Sequence, residues 1–326
     1  MSSTPTGAGA FRWGFLGAGF IAHTALAPAV HAASGSVLQA CAARDLDRAR
    51  ALQPVGRAYD DYDALIEDPD VDGVYIALAN DAHLPAILRA LAAGKHVLCE
   101  KPMCLTETET VAAVAAAEAA DRLLVEASWY RWHPRTRRAE QLVAGGALGE
   151  MNNVETALCF SGVPSQNYRR DPARGGGALY DVGCYAVSAA QWALGDLAVV
   201  NAAARYADTG VDLHTRAVLA SATGQARVEC SIDAPQRDVL RVEGTLGALT
   251  FADAPFMSYR APAKLRLVDA AGGIHEQTFA ALDAYQVMVE AFTRRAGGAD
   301  AYTIPLVESL RTARTLDAIR AHARAG

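Results

Sequence analysis

Long apolar runs are missing from this 326-residue chain: no uninterrupted stretch approaches the roughly 18 residues of a membrane span. The opening MSSTPTGAGA lacks the positive and apolar regions of a secretory signal. Residues 1–10 therefore read as a disordered tail, and a cytoplasmic location is expected. Positive charge is not in excess. Thirty Lys and Arg stand against 36 Asp and Glu, a formal net charge of −6, which argues against a nucleic-acid binder held by phosphate contacts. The one basic cluster, RTRR at Arg135–Arg138, reads as a solvated helix face. Cysteine is scattered and contains no CxxC: Cys41, Cys99, Cys104, Cys159, Cys184 and Cys230 lie mostly in apolar runs. Such thiols suit a reducing compartment and exclude both a disulfide frame and a zinc site. No internal repeat and no low-complexity linker is present. Hydrophobic residues at 52% and charged residues at 20% fit a soluble globular protein, long enough for two domains.

The first half carries a nucleotide-binding pattern. FRWGFLGAGFIAHTALAPAV runs from a short apolar strand into Gly17-Ala18-Gly19-Phe20-Ile21-Ala22, a GxGxxA before an apolar-periodic helix. Gly17 permits the tight turn, Gly19 lets backbone approach a pyrophosphate, and Ala22 allows close helix–strand packing. The helix N-terminus offers free N–H groups to the phosphates. Further strands are expected at Val37–Ala43, Gly73–Ala79 and His96–Glu100, alternating with helices as right-handed βαβ units. The end of the second strand should meet the adenosine ribose. An NAD site places a carboxylate there; this chain has Ala43 followed by Arg44, which suits a 2′-phosphate and so NADP. Alternatively, Arg44 is a surface residue and Asp45 takes the ribose role. Asn80 and His83 follow the third strand, where an open parallel sheet binds ligands.

EKPMC, Glu100–Cys104, follows the strand HVLC and sets Lys101 between an acid and a proline that restricts the loop. WYRWHP offers Trp129, Arg131 and His133 after the strand RLLVEAS. In ARGGGALYDVGCYAVSAAQWALG, Asp181 and Tyr185 are four apart and share one helix face. From MNNVETALCF onward, alternating strands separated by Gly, Asp and Pro turns predict an antiparallel sheet. Helical periodicity closes the chain at Ala281–Ala296 and Leu306–Ala325, the last helix returning toward the nucleotide-binding half.

These segments together resemble the glucose–fructose oxidoreductase / inositol dehydrogenase / MocA family, and the resemblance covers nearly the whole chain. GFLGAGFIA, VYIALANDAHLPAILRALAAGKHVLCEKP, WYRWHP, GGGALYDVGCYAV and VEGTLGALTF carry it, with AGKHVLCEKP the most specific. It implies a Rossmann domain at 11–128, a doubly wound parallel sheet, and a second domain at 129–326 on a large, mostly antiparallel sheet. It also implies that Lys101 lies beside the nicotinamide, with Gly17, Gly19, Phe20, Ile21, Ala43, Arg44, Asn80, His83 and Glu100 around the cofactor. A cis Lys101–Pro102 bond is a further expectation. Many relatives carry histidine where this chain has Tyr185. Tyrosine resembles the glucose–fructose oxidoreductase, dihydrodiol and xylose dehydrogenase branches instead.

The expected activity is NADP-dependent hydride transfer to or from a sugar or polyol carbon, without a metal, the oxidation of an aldose at its first carbon being favoured. Tyr185 would be the acid/base, Lys101 its electrostatic partner or a proton relay with a depressed pKa, and Asp181 a holder of substrate hydroxyls. Trp129 and Arg131 would line the substrate side. Alternatively, Tyr185 is a packed aromatic and Asp181 a helix-dipole carboxylate. A nucleotide-linked keto-sugar reductase, a dihydrodiol dehydrogenase and a non-catalytic NAD(P) sensor remain alternatives. A homodimer or homotetramer is expected through the C-terminal sheet, whose uncovered apolar face would need a partner.

Overall fold

The computed structural model describes residues 9–257 and 259–325, so the expected tail lies outside the described residues except for exposed Gly9 and Ala10. Six strands form a fully parallel sheet: β1 (Phe11–Leu16), β2 (Ser36–Ala42), β3 (Arg57–Tyr59), β4 (Gly73–Ile76), β5 (His96–Cys99) and β6 (Leu124–Glu126). Their order, β3-β2-β1-β4-β5-β6, reverses direction between β1 and β4, the place where a doubly wound sheet opens a ligand crevice. Five helices accompany them: α1 (Ala27–Ala32), α2 (Leu46–Arg50), α3 (Tyr62–Ile66), α4 (His83–Ala92) and α5 (Glu107–Ala120). The strands are buried on both faces, which is why they read as apolar runs rather than as alternation. β3, only three residues long and partly exposed, has no such signature.

The second sheet has eight strands: β7 (Met151–Cys159), β8 (Ala198–Tyr206), β9 (Asp212–Ala220), β10 (Gln225–Ser231), β11 (Arg237–Gly244), β12 (Gly247–Phe251), β13 (Ala263–Asp269) and β14 (Ile274–Phe279). Their order is β14-β13-β12-β11-β7-β10-β9-β8, antiparallel except for the β7–β10 pair. IHEQTF, the edge strand β14, is largely exposed and polar, so its apolar pattern is too weak to announce a strand.

Four helices complete the fold: α6 (Pro134–Ala144), α7 (Cys184–Leu194), α8 (Ala284–Ala296) and α9 (Leu306–Ala325). The α7 helix covers the inner face of β7, where Thr156 Oγ1 donates to the Ala186 carbonyl at 3.1 Å. The opposite face is not the apolar surface expected. Its centre is an ionic ladder in which Arg237 pairs with Glu155 and Glu229, both at 2.5 Å, and Arg216 with Glu229 at 2.8 Å.

The two closing helices tie the halves together. Phe292 of α8 packs on Trp13 of β1, ring centroids 4.9 Å apart. On α9, Asp317 accepts from the Glu107 N–H at 2.8 Å, and Ser309 donates to Glu126 at 2.6 Å. The RTRR cluster is not simply a solvated face. Arg135 is buried at 1% exposure, its guanidinium donating to the carbonyls of Asp253, Ala254 and Pro255.

Candidate active site

A cavity of about 1230 Å³ runs from the glycine loop to the inner face of the second sheet. At its nucleotide end, Gly17 has φ of +103°, a conformation that favours glycine. A Cβ on Gly17 would lie 2.6 Å from the Ala77 carbonyl oxygen. At Gly19 the nearest atom would be that same oxygen at 3.9 Å, so a side chain there would enter open space before the first helix. That space suits a phosphate approaching backbone N–H groups. Phe20 and Ile21 line it; Phe20 is 81% exposed.

Ala43 and Arg44 line the next stretch. The Asp45 carboxylate is already used as the N-cap of α2, accepting from the N–H groups of Asp47 at 3.0 Å and Arg48 at 3.4 Å. Its Oδ1 is thus engaged, while Asp45 itself lines the cavity beside Arg44. Sequence reasoning missed Arg48, which also lines the cavity and donates to the Ala18 carbonyl at 2.7 Å. Arg48 lies in the first turn of α2 and lines the same cavity as Arg44, which precedes the helix. Two guanidiniums in one stretch of wall suit a 2′-phosphate.

At the centre stands Lys101, on a loop held from below. The Lys101–Pro102 bond is cis. Glu100 accepts from the Tyr75 hydroxyl at 2.6 Å and from the Lys101 N–H at 3.3 Å, and burial pushes its pKa up. His83 does not reach the cavity. It is fully buried, with its ring nitrogens 2.9 Å from the Pro102 carbonyl and 3.2 Å from that of Leu78, so it braces the loop. Asn80 lines the cavity and donates to the Gly175 carbonyl at 2.8 Å, stitching the first sheet's loop to the triple-glycine segment.

The Lys101 ammonium donates to the Asp181 carbonyl and lies 3.2 Å from Asp181 Oδ1. It also sits 5.1 Å from the centre of the Tyr185 ring. Burial is the largest single influence and would lower its pKa, but Asp181, joined by Cys184 and Tyr168, raises it above the ordinary 10.5. Of the two roles expected for Lys101, the direction of this shift favours the electrostatic partner over the relay with a depressed pKa. Burial pushes the Asp181 pKa up, yet Lys101 and then Arg169 bring it below 3.8. Arg169 Nε lies 2.7 Å from Asp181 Oδ2. Each carboxylate oxygen thus faces a cation, although Oδ2 has no aligned hydrogen bond and Asp181 lines the cavity.

Asp181 and Tyr185 both line the cavity, Asp181 from a π-helical turn at Leu179–Gly183 and Tyr185 from the first turn of α7. Burial raises the Tyr185 pKa well above 10.0, keeping the phenol protonated. Among the described residues its hydroxyl has no hydrogen-bond partner, while its ring packs edge-on to Tyr130 and tilted against Phe256. Trp129 lines the cavity and stacks on Tyr285 at 5.4 Å. Arg131 is placed elsewhere. It is buried in ion pairs with Glu140 at 2.6 Å and Glu308 at 2.5 Å, binding the Trp129–Trp132 turn to α6 and α9. Tyr168, Arg169, Phe256 and Tyr285, all unremarked in the sequence, complete the substrate-side wall.

A glycine-loop nucleotide cleft opening onto a lysine and a tyrosine defines a Rossmann-domain oxidoreductase. Comparison with known proteins agrees. Residues 11–128 match the oxidoreductase family with an NAD-binding Rossmann fold, and residues 136–250 match the GFO/IDH/MocA C-terminal domain. The chain is 38% identical to D-xylose 1-dehydrogenase (NADP(+)) 2 of Haloferax volcanii over 96% of its length and 98% of the relative's. It is 34% identical to trans-1,2-dihydrobenzene-1,2-diol dehydrogenase of Mus musculus over 73% of each chain. A 3-ketoreductase from Actinomadura kijaniata, solved with NADP and TDP-benzene, superposes with a TM-score of 0.89 at 28% identity, covering 96% of this chain and 98% of that one. The protein belongs to the GFO/IDH/MocA oxidoreductase family.

Proposed function

We propose that this chain is an NADP-dependent oxidoreductase that moves a hydride between nicotinamide and a CH–OH carbon of a sugar or polyol, with an aldose oxidised at its first carbon as the leading substrate. The observation that carries this reading is the single cavity joining Gly17, Gly19 and Arg44 to Lys101 and Tyr185. Gly17, Gly19, Phe20 and Ile21 would hold the pyrophosphate region, Ala43, Arg44 and Arg48 the 2′-phosphate, and Asn80, Glu100 and Lys101 the nicotinamide side. The bound cofactor supplies or accepts the hydride. In the reductive direction the carbonyl carbon gains that hydride and its oxygen takes a proton from the Tyr185 hydroxyl. The Lys101 ammonium, held by Asp181, stabilises the negative charge on either oxygen.

A keto-sugar reductase is the second reading, supported by the similarity to the 3-ketoreductase solved with NADP and TDP-benzene. The division of labour is proposed to fall at 128/129, with 129–326 as the substrate and assembly domain. Self-association through the second sheet would then be polar, matching its charged ladder rather than burying an apolar face. The six free, buried cysteines accord with a cytoplasmic setting. The test is a panel of aldoses, polyols and dihydrodiols with NADP and NAD, followed by nicotinamide absorbance in both directions. No turnover with any of them, despite tight NADP binding, would favour a sensor instead.

A further inference from the structure

The Arg169 guanidinium is committed at one edge only. Its Nε faces Asp181 Oδ2 at 2.7 Å, although the N–H is not aligned on that oxygen. Among the described residues neither terminal nitrogen has a hydrogen-bond partner. The side chain, 31% exposed, lines the cavity above Tyr168, whose ring centre is 5.0 Å from the guanidinium carbon. Lys101 faces the other oxygen of the same carboxylate at 3.2 Å. Two cations are therefore spaced across one carboxylate group, with one unit of positive charge left over. Adjacent oxygens of a vicinal diol held gauche, or of an α-hydroxy carbonyl, lie somewhat farther apart than the two oxygens of a carboxylate, so each of the two cations can meet one of them. The remaining wall is mainly aromatic: Trp129, Phe160, Tyr168, Phe256 and Tyr285 offer ring faces.

We propose that Arg169 determines specificity by binding the oxygen next to the reacting one, so that the site selects vicinal diols and α-hydroxy carbonyls. The reacting oxygen sits at Lys101 and Tyr185; its neighbour accepts from the free Arg169 nitrogens, a charge-assisted hydrogen bond to one oxygen. This rests on the oxidoreductase reading above and names its substrate class.

The test compares D-xylose with 2-deoxy-D-xylose, which lacks only the adjacent hydroxyl. Calorimetry on the NADP-saturated full chain gives affinity, and nicotinamide absorbance gives turnover. The parent should prefer D-xylose by at least about tenfold. Arg169→Met should reduce that preference below about threefold with NADP affinity unchanged, and Arg169→Lys, which keeps the charge should the methionine variant not fold, should retain only part of it. If Arg169 merely pins Asp181, turnover falls equally for both sugars and discrimination survives; that result overturns the inference. Equal parental affinities, or no binding of either sugar, also overturn it. Binding with the expected preference but no turnover would sink the oxidoreductase reading and leave Arg169's role standing.

Discussion

Replacing Asp181 with asparagine tests the charge arrangement most directly. The side chains of Lys101 and Asp181 are only 12% and 5% exposed, so solvent screens them little. In the parent, burial is the largest influence on the lysine pKa and lowers it, while Asp181, followed by Cys184 and Tyr168, brings it above 10.5. In Asp181→Asn the largest raising influence is removed while burial and Arg169 remain, so the pKa should fall. Leaving a buried charge unpaired costs about 3–5 kcal/mol, and one pKa unit corresponds to about 1.4 kcal/mol. A penalty of that size corresponds to a fall of roughly two to three and a half pKa units, which brings deprotonation within reach at mildly alkaline pH. The signs run in opposite directions for the two groups. Asp181, depressed by folding, stabilises the fold above its unfolded value of 3.8, and that contribution is lost as pH falls through the folded value. Lys101, raised by folding, stabilises below 10.5, and that contribution is lost as pH rises through its folded value. The parent should show a broad neutral plateau in thermal melts, whereas the variant should melt at least about 5 °C lower near pH 7 and regain stability toward alkaline pH. Its oxidative pH–rate profile should reach the alkaline plateau at lower pH than the parent's. Melts that match the parent, together with an unmoved alkaline limb, would refute the claim that Asp181 keeps Lys101 charged.

Replacing Arg44 with alanine should weaken NADP by at least about tenfold while sparing NAD, since a charge-assisted contact contributes roughly 1.5–3 kcal/mol. Adding Arg48→Ala should erase the remaining preference; fluorescence titration of the two cofactors measures both. Lys101→Met and Tyr185→Phe should each lower kcat by about 10²–10⁴ with little change in NADP affinity, and the double variant should lose less than the product of the two. Near-parental turnover in Tyr185→Phe would reduce the tyrosine to packing. Burial, and then the neighbouring Arg135, push the His133 pKa down from 6.5 to about 4. The unfolded chain therefore binds the proton first, and stability should fall between these values as acid is added, by up to about 2 kcal/mol after screening. His133→Gln should flatten that slope in melts taken as a function of pH.

What the linear sequence determined by itself was local. A GxGxxA between a strand and a helix, or a lysine locked before proline at a strand end, is short-range stereochemistry and can be read without any partner. The same holds for alternation on β7 to β13, because one face of each strand meets the core. The tertiary structure decided which side chains share a space. Arg131 and Arg169 look alike in the sequence, each an arginine next to an aromatic residue. Glu140 and Glu308 draw Arg131 into a buried ion pair, while the triple-glycine turn brings Arg169 to Asp181 and the cavity. That Asp45 caps α2 through one oxygen while lining the cavity became visible only in the folded chain. The pKa of Lys101 was equally out of reach, since it depends on a balance between burial and a carboxylate 80 residues away. Ionic pairings of this kind depend on distances of a few ångströms between remote segments, and only packing of the two sheets sets those distances.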